Sequence, residues 1–403
     1  MSGNYMTSFT TKLYDSLKRL ERWVEGHGYR GYEPFDGLSS PLQALTFDNL
    51  FLERLLQQAV RWSPVNIRPL IGVTQKESTK GRGFMAAGYL AMHRVTGDPD
   101  YLKKAELCLD WLDRHKAEGY AGHSWGNYFP FSSRTGRLPA DEPIIVWTSL
   151  IGQTFLDAYE QTGQPRSLAV VRSACDWILA LPRERTSAGS CLSYVAYTQE
   201  SIHNSNMLGA ALLARASGYL SDTRLVPAAR EAMLYSCSRQ RPDGSWWYGE
   251  APDLHWIDNY HTAYNLDSLK CYIEATGDSV YRDHLKKGFA FFKERFFLPD
   301  GTPRYYHDRT YPIDSQCMSQ AVETLAKFAG DDPEALPLAV RVADWAIDAM
   351  QDRKSGHFYF RRYRTGLVDR TPMLHWAQAT MYKGLALLFA RLAGPRSGRG
   401  AAE

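Results

Sequence analysis

No apolar run in this 403-residue chain reaches the roughly 20 residues that a membrane-spanning helix needs, so no membrane span is expected. The opening residues, Met1-Ser-Gly-Asn-Tyr-Met-Thr-Ser, lack the apolar core of a secretory leader, and a cytoplasmic location is the expectation. Cysteine is sparse. Cys108, Cys175, Cys191, Cys237, Cys271 and Cys317 lie far apart and form no CxxC pair, so free thiols packed as small apolar residues are expected in place of a metal ribbon or redox motif. A surplus of one charge is missing too: the formal net charge is +3 with the basic residues scattered, which removes nucleic acid from the expected partners. HExxH, a tight carboxylate cluster, a glycine-rich phosphate loop and Gly-x-Ser-x-Gly are all absent. No metal and no cofactor is therefore expected.

What the chain does have is aromatic residues, 13% of the sequence with 11 Trp and 24 Tyr, and an apolar content of 44%. Such rings fill cores, and they also stack on the apolar faces of sugars. Residues Ser8 to Gly26 read as an amphipathic helix with Leu13, Leu17, Leu20 and Trp23 on one face. A loop, Gly31-Tyr-Glu-Pro-Phe-Asp-Gly37, and an accessory helix from Asp48 to Trp62 follow. Then a repeat begins. Helices open near Thr79, Trp147, His203, Asp258, Asp314 and His375, the last five spaced by roughly 55–60 residues, the length of a helical hairpin plus a long loop. Glycine-bearing turns end the first five, Thr96-Gly97-Asp98, Thr162-Gly163-Gln164, Ser217-Gly218, Thr276-Gly277-Asp278 and Ala329-Gly330-Asp331, and a more charged helix follows each. Long loops rich in Trp, Tyr and Gly come next, such as Asp243-Gly-Ser-Trp-Trp-Tyr-Gly. This pattern predicts an all-α (α/α)6 toroid over residues 1–393, with inner and outer helices and aromatic loops on one face. The N-terminal helix, residues 7–27, supplies the missing outer partner; helix 48–62 is accessory; residues 394–403 read as a disordered tail.

The stretch from Trp256 to Gly277 is the best defined of the inner helices. Asp258, His261, Asn265 and Ser268 share one polar stripe, while Tyr260, Leu266, Leu269 and Tyr272 cover the other faces. The long loops feed the N-termini of six inner helices, so six positive helix ends meet at one mouth and favour an anionic or hydroxyl-rich ligand. Lys80, Arg82, Arg134, Arg137, Arg304 and Arg361 could add to that preference, or could simply be solvated. At the mouth the sequence offers Glu142 and Trp147, His203 and Asn206, Asp258 with Tyr260 and His261, Tyr311 with Asp314 and Gln316, and His375 with Trp376 and Gln378. His375, Gln378 and Tyr382 repeat the i, i+3, i+7 spacing. Asp258 and Asp314 are equally good helix caps, and His203 could be a satisfied core histidine.

The segment Gln240-Arg-Pro-Asp-Gly244-Ser-Trp246 resembles the Q-x3-G-x-W repeat of terpene cyclases and related α/α toroids, with Gln351, Gly356 and Phe358 as an echo. That resemblance implies architecture, because the cyclases' DxDD and DDxxD motifs are absent. In length and helix order the chain is similar to the N-acyl-glucosamine 2-epimerase and aldose–ketose isomerase group, single (α/α)6 domains with a histidine on the fourth and on the sixth inner helix. His261 and His375 take those places here. Toroidal uronate-processing enzymes, polysaccharide lyases and the helical domain of glucuronyl C5-epimerase, use His, Tyr and Asn in comparable mouths.

These readings share one step, removal of a carbon-bound proton next to a carbonyl or carboxylate, which needs a base near neutral pKa and a group that holds the enolate. The expectation is an enzyme acting on a sugar or oligosaccharide, uronate-containing or otherwise anionic, of epimerase, isomerase or lyase type. His261 and His375 are its base and acid, with Asp258 able to orient His261. Substrate contacts are expected from His203, Asn206, Tyr260, Asn265, Trp147, Trp246, Tyr311, Gln316, Trp376 and Arg82. The rival readings are a glycoside hydrolase with Asp258 and Asp314 as its carboxylate pair and a non-catalytic glycan-binding toroid.

Overall fold

The computed structural model describes residues 3–133 and 136–394; Arg134 and the tail beyond Gly394 lie outside the described residues. Thirteen helices are found among them: α1 (Gly3–Gly26), α2 (Leu50–Trp62), α3 (Thr79–Thr96), α4 (Pro99–Arg114), α5 (Ile145–Thr162), α6 (Pro165–Ala180), α7 (His203–Ala216), α8 (Leu225–Cys237), α9 (Asn259–Thr276), α10 (Arg282–Arg295), α11 (Ser315–Lys327), α12 (Ala335–Met350) and α13 (Thr380–Ala393). A π-helical segment, Leu374–Ala379, leads into α13. None is long and apolar enough to cross a membrane.

Six of these helices close a ring. Each of α3, α5, α7, α9, α11 and α13 packs on the next, and α13 returns to α3. Outside them α4 lies on α3, α6 on α5, α8 on α7, α10 on α9 and α12 on α11, while α1 completes the outer layer against α12 and α13. This is an (α/α)6 toroid, and its inner helices are buried on nearly every side. Leu13, Leu17 and Leu20 of α1 are fully buried, each stabilising the closure by about 1.5–3 kcal/mol relative to exposure. Close approach of α3 and α13 depends on Gly88: a Cβ there would sit 2.5 Å from the Tyr382 ring.

Local chemistry sets the helix ends. Ser78, Asp258 and Asp314 cap α3, α9 and α11 by accepting from the amides of Gly81, His261 and Gln316. Gly97, Gly163 and Gly277 stop α3, α5 and α9 in the left-handed conformation, with φ of 67°, 67° and 72°. Two expected turns differ. After α7 the chain turns through Ser217 with no positive φ at Gly218, and α11 tightens into a 3-10 turn over Phe328–Gly330.

The long loops carry short antiparallel pairs: β1 (Phe131–Ser132) with β2 (Arg137–Leu138), β3 (Arg183–Thr186) with β4 (Gly189–Leu192), and β5 (Ile313–Asp314) with β6 (Arg361–Arg362), which also pairs β7 (Val368–Asp369). The last of these puts Arg361 directly opposite Asp314. The accessory helix α2 is packed inside out. Its buried side holds Glu53 and Gln57, which bind Ser132 and Arg137 of the β1–β2 loop, so Arg137 is spent there. Its apolar residues Phe51 and Leu55 are 71% and 57% exposed. Val60 shares that buried side against Gly37, and polar partners from the loop hold Glu53 and Gln57 inward beside it.

Candidate active site at the mouth of the ring

The first turn of α9 builds the centre of the site. Capping fixes the Asp258 side chain, since Oδ1 accepts from the His261 amide at 2.9 Å. Oδ2 then meets His261 Nδ1 at 2.7 Å and accepts from Trp256 Nε1 at 3.0 Å. A carboxylate there can only accept, so in the neutral ring the proton sits on Nδ1 and Nε2 keeps its lone pair. The His261 side chain is 19% exposed, whereas Asp258 is buried. Aromatic rings surround it: Tyr260 at 4.1 Å and Tyr248 at 4.5 Å, with Trp256 stacked on Tyr248.

A second cluster lies where α3 and the π-helical segment begin. Glu33, from the loop before α2, accepts from Ser78 Oγ at 2.9 Å and pairs with Lys80 Nζ at 3.1 Å. His375 Nδ1 stands 3.5 Å from the same carboxylate, too far for a well-formed hydrogen bond, and neither ring nitrogen has a protein partner among the described residues. All three groups are buried. Trp147 and Phe84 flank His375 at 4.9 and 5.1 Å, and Lys80 Nζ lies 5.0 Å from the Trp147 ring. The Glu33 strand is clamped between Lys76 and Met373 by backbone bridges, and Gly31 is needed because a Cβ would meet Leu374 Cβ at 2.8 Å. Ring contacts from His261 through Tyr260 and Trp376 to His375 join the two clusters.

Burial, and next the Lys80 cation, push the His375 imidazole down to about 4, against the opposing pull of Glu33. Burial alone would raise the Glu33 carboxyl, but Lys80 and His375 outweigh it and hold it at about 2. Burial lowers Lys80 despite Glu33. Both low values mean that the native state takes up fewer protons than the unfolded chain as pH falls. His375 therefore contributes stability that is complete above its ordinary 6.5 and is lost towards 4, with Glu33 following from 4.5 towards 2. Thermal melts between pH 7.5 and 4.5 are expected to show a loss on the order of 2–3 kcal/mol from His375 alone, and His375→Gln should flatten that limb. A wild-type melting temperature independent of pH in that window would contradict a buried neutral imidazole.

Asp314 is sealed. It is fully buried, and its carboxylate accepts from the Gln316 amide at 2.9 Å, from Trp376 Nε1 at 2.5 Å and from Arg361 Nε at 2.5 Å. Gln316 reaches the Tyr264 hydroxyl at 3.0 Å. Trp147, Asp258, Tyr260, His261, Asp314, Gln316, His375 and Trp376 thus gather at one mouth.

Other expected contacts point elsewhere. Arg82 pairs with Glu77, lies 3.8 Å from the Tyr29 ring and reaches Cys108 Sγ on α4, because its place on α3 faces the outer layer. Asn206 faces α8, donating to the Ala232 carbonyl and accepting from the Leu192 amide. Trp246 is core: its indole donates to the Ser236 carbonyl, while Gln240 donates to the carbonyls of Gly244 and His284, tying loop to outer helix. His203 has both ring nitrogens occupied, by Glu250 at 2.8 Å and Ser236 at 3.2 Å. Tyr311 is 40% exposed on the rim. Asn265 and Ser268 stay on the α9 stripe, buried, with Asn265 Oδ1 and Ser268 Oγ unpartnered among the described residues. The His375–Gln378–Tyr382 stripe is broken, because the π-helical turn changes the spacing and Gln378 instead binds both backbone groups of Phe358. Two of the six helix ends are neutralised by Asp258 and Asp314, whereas α5 and α7, preceded by Ile144 and Ile202, have no side-chain cap. Sequence reasoning passed over Glu33, Tyr248 and Trp256. The one signal for Glu33 was an acid, with Asp36 close by, inside a loop otherwise of Tyr, Pro, Phe and Gly.

No family model matches the sequence, and no curated protein matches it either. Solved structures do. The chain is similar to an unsaturated glucuronyl hydrolase specific for heparin, with a TM-score of 0.63 and 13% identity over 95% of this chain and 96% of that one. It is also similar to a cellobiose 2-epimerase from Bacillus thermoamylovorans B4167, with a TM-score of 0.61 and 12% identity over 78% of this chain and 87% of the other. A D-mannose isomerase aligns with a TM-score of 0.59 and 11% identity over 78% and 87% of the two chains. At such identities the likeness is one of fold, and the fold these structures share with this chain is the (α/α)6 toroid.

Proposed function

We propose that this protein is a carbohydrate-active enzyme that abstracts a carbon-bound proton beside a carbonyl or carboxylate of an anionic sugar, in an epimerase, isomerase or lyase reaction. The observation that carries the reading is the Asp258–His261 pair: an oriented imidazole with a free Nε2 lone pair, partly open to solvent. Tyr248, Trp256 and Tyr260 offer faces for a pyranose ring. Lys80 is already paired with Glu33, so what it offers a developing enolate is its remaining N–H donors. His375 is neutral above about pH 4, so it serves as a hydrogen-bonding group to a hydroxyl and is a poor proton donor at neutral pH. Names among the fold neighbours, a cellobiose 2-epimerase and a D-mannose isomerase, support the sugar chemistry.

A hydrolase is the second reading, favoured by the alignment with an unsaturated glucuronyl hydrolase along almost the whole chain. Against it, both candidate carboxylates are engaged: Asp258 by His261 and Trp256, Asp314 by Arg361, Trp376 and the Gln316 amide. Incubation with neutral sugars, uronic acids and uronate oligosaccharides in D2O, followed by NMR, separates the readings. Deuterium in recovered sugar is the expected outcome, or a new double bond if the substrate is cleaved. New reducing ends with neither would establish the hydrolase.

A further inference from the structure

Arg361 is the most unusual cation among the described residues. It is fully buried, yet the one ion pair it forms with them is the single bond from Nε to Asp314. None of their groups makes a well-formed hydrogen bond to Nη1 or Nη2, although the neutral Tyr363 hydroxyl stands close to the guanidinium. The rings of Phe360, Trp62 and Tyr305 lie 4.4, 4.7 and 5.8 Å from the guanidinium carbon. Such contacts attract the charge but leave its N–H groups without strong acceptors. Arg61 of α2 adds a second guanidinium to the same place. Its Nη2 donates to the Tyr305 hydroxyl at 3.3 Å, its carbon lies 5.6 Å from the Trp62 ring, and its Nε is unpartnered among the described residues.

Two cations thus flank Tyr305 and Trp62, and Asp314 is the one carboxylate among the described residues that forms an ion pair with either, while Asp258 acts on Tyr305 from farther off. Asp369, opposite Arg361 across the β6–β7 pair, feels its charge but forms no ion pair with it: its Oδ1 is held by Thr371, and burial raises its pKa against that pull. A buried guanidinium whose two Nη nitrogens lack strong acceptors is costly unless an anion completes it. The paired Nη groups match the two oxygens of a carboxylate. Position matters as well. Tyr305 lies 6.0 Å from Tyr260, which adjoins His261, so an acid group on this fork places its sugar ring against Tyr260 and towards the Asp258–His261 pair.

We propose that Arg361 and Arg61 form the subsite for the carboxylate of a uronic acid, with Trp62 of α2 as its roof. This inference rests on the sugar-processing reading and names the substrate class. The test titrates the full chain with sodium D-glucuronate, D-glucose and D-glucose 6-phosphate by calorimetry, on the wild type, Arg61→Met, Arg361→Lys and His261→Ala, each accompanied by a thermal melt. Glucuronate should bind about tenfold or more tightly than glucose, and each arginine variant should weaken glucuronate about tenfold while glucose is unchanged. His261→Ala should keep glucuronate binding. Equal affinity for glucuronate and glucose, no saturable glucuronate binding, or tighter binding of the phosphate overturns the carboxylate subsite. If Arg361→Lys fails to fold, Arg61→Met decides. Solvent-deuterium exchange run in parallel keeps the two ideas apart. Exchange into a neutral sugar without glucuronate preference removes the fork alone, and arginine-dependent glucuronate binding without exchange into any sugar removes proton abstraction alone.

Discussion

His261→Ala is expected to lower kcat by about 10²–10⁴-fold while leaving the protein folded, the usual worth of a positioned acid or base. The side chain can be lost cheaply because it is partly open, and because Asp258 keeps its capping bond to the backbone amide and its bond from Trp256. The melting temperature should therefore stay close to wild type. His261→Gln does not restore a proton acceptor and should not restore turnover, whereas a purely structural role would let it rescue turnover. Kinetics of all three proteins on the substrate found by deuterium exchange, with melts beside them, give the answer. Full turnover in a folded His261→Ala would end the proposed chemistry.

Asp314→Asn should do the reverse. Removing one partner of a buried ion pair leaves Arg361 charged in the interior, and that typically costs about 3–5 kcal/mol. The new amide could still accept from the Gln316 backbone with one oxygen, but its NH₂ group would face Arg361 Nε, donor against donor. Denaturant unfolding should show the loss, and residual activity should track the folded fraction. A variant that is dead yet as stable as wild type would instead promote Asp314 to a catalytic carboxylate and the protein to a hydrolase.

The two substitutions differ because Asp258 and Asp314 share one motif and two fates. Both were legible as caps at the start of inner helices, and both are caps. Their second partners differ: an imidazole three residues on for Asp258, and an arginine 47 positions away for Asp314. The first relation lies within one helical turn, so periodicity reaches it. The second is set by strand pairing between loops, to which periodicity is blind.

The same boundary runs through the whole chain. Ring architecture, inner-helix starts and the stops at Gly97, Gly163 and Gly277 were readable from the amino acids alone, because capping, left-handed glycine and the 3.6-residue period act over four residues or fewer. Neither the inward turn of Glu53 and Gln57 on α2 nor the outward turn of Arg82 and Asn206 could be read that way, since a helix with polar groups on several sides gives no sign of which neighbour will satisfy them. Glu33 is 342 residues from His375, and only closure of α13 on α3 brings them to 3.5 Å. Sequence by itself determined a toroid with Asp258 and His261 on one stripe at a helix end, and left open whether their side chains meet. Tertiary structure decided which charges are buried together, because burial and pairing are properties of surroundings that distant segments supply.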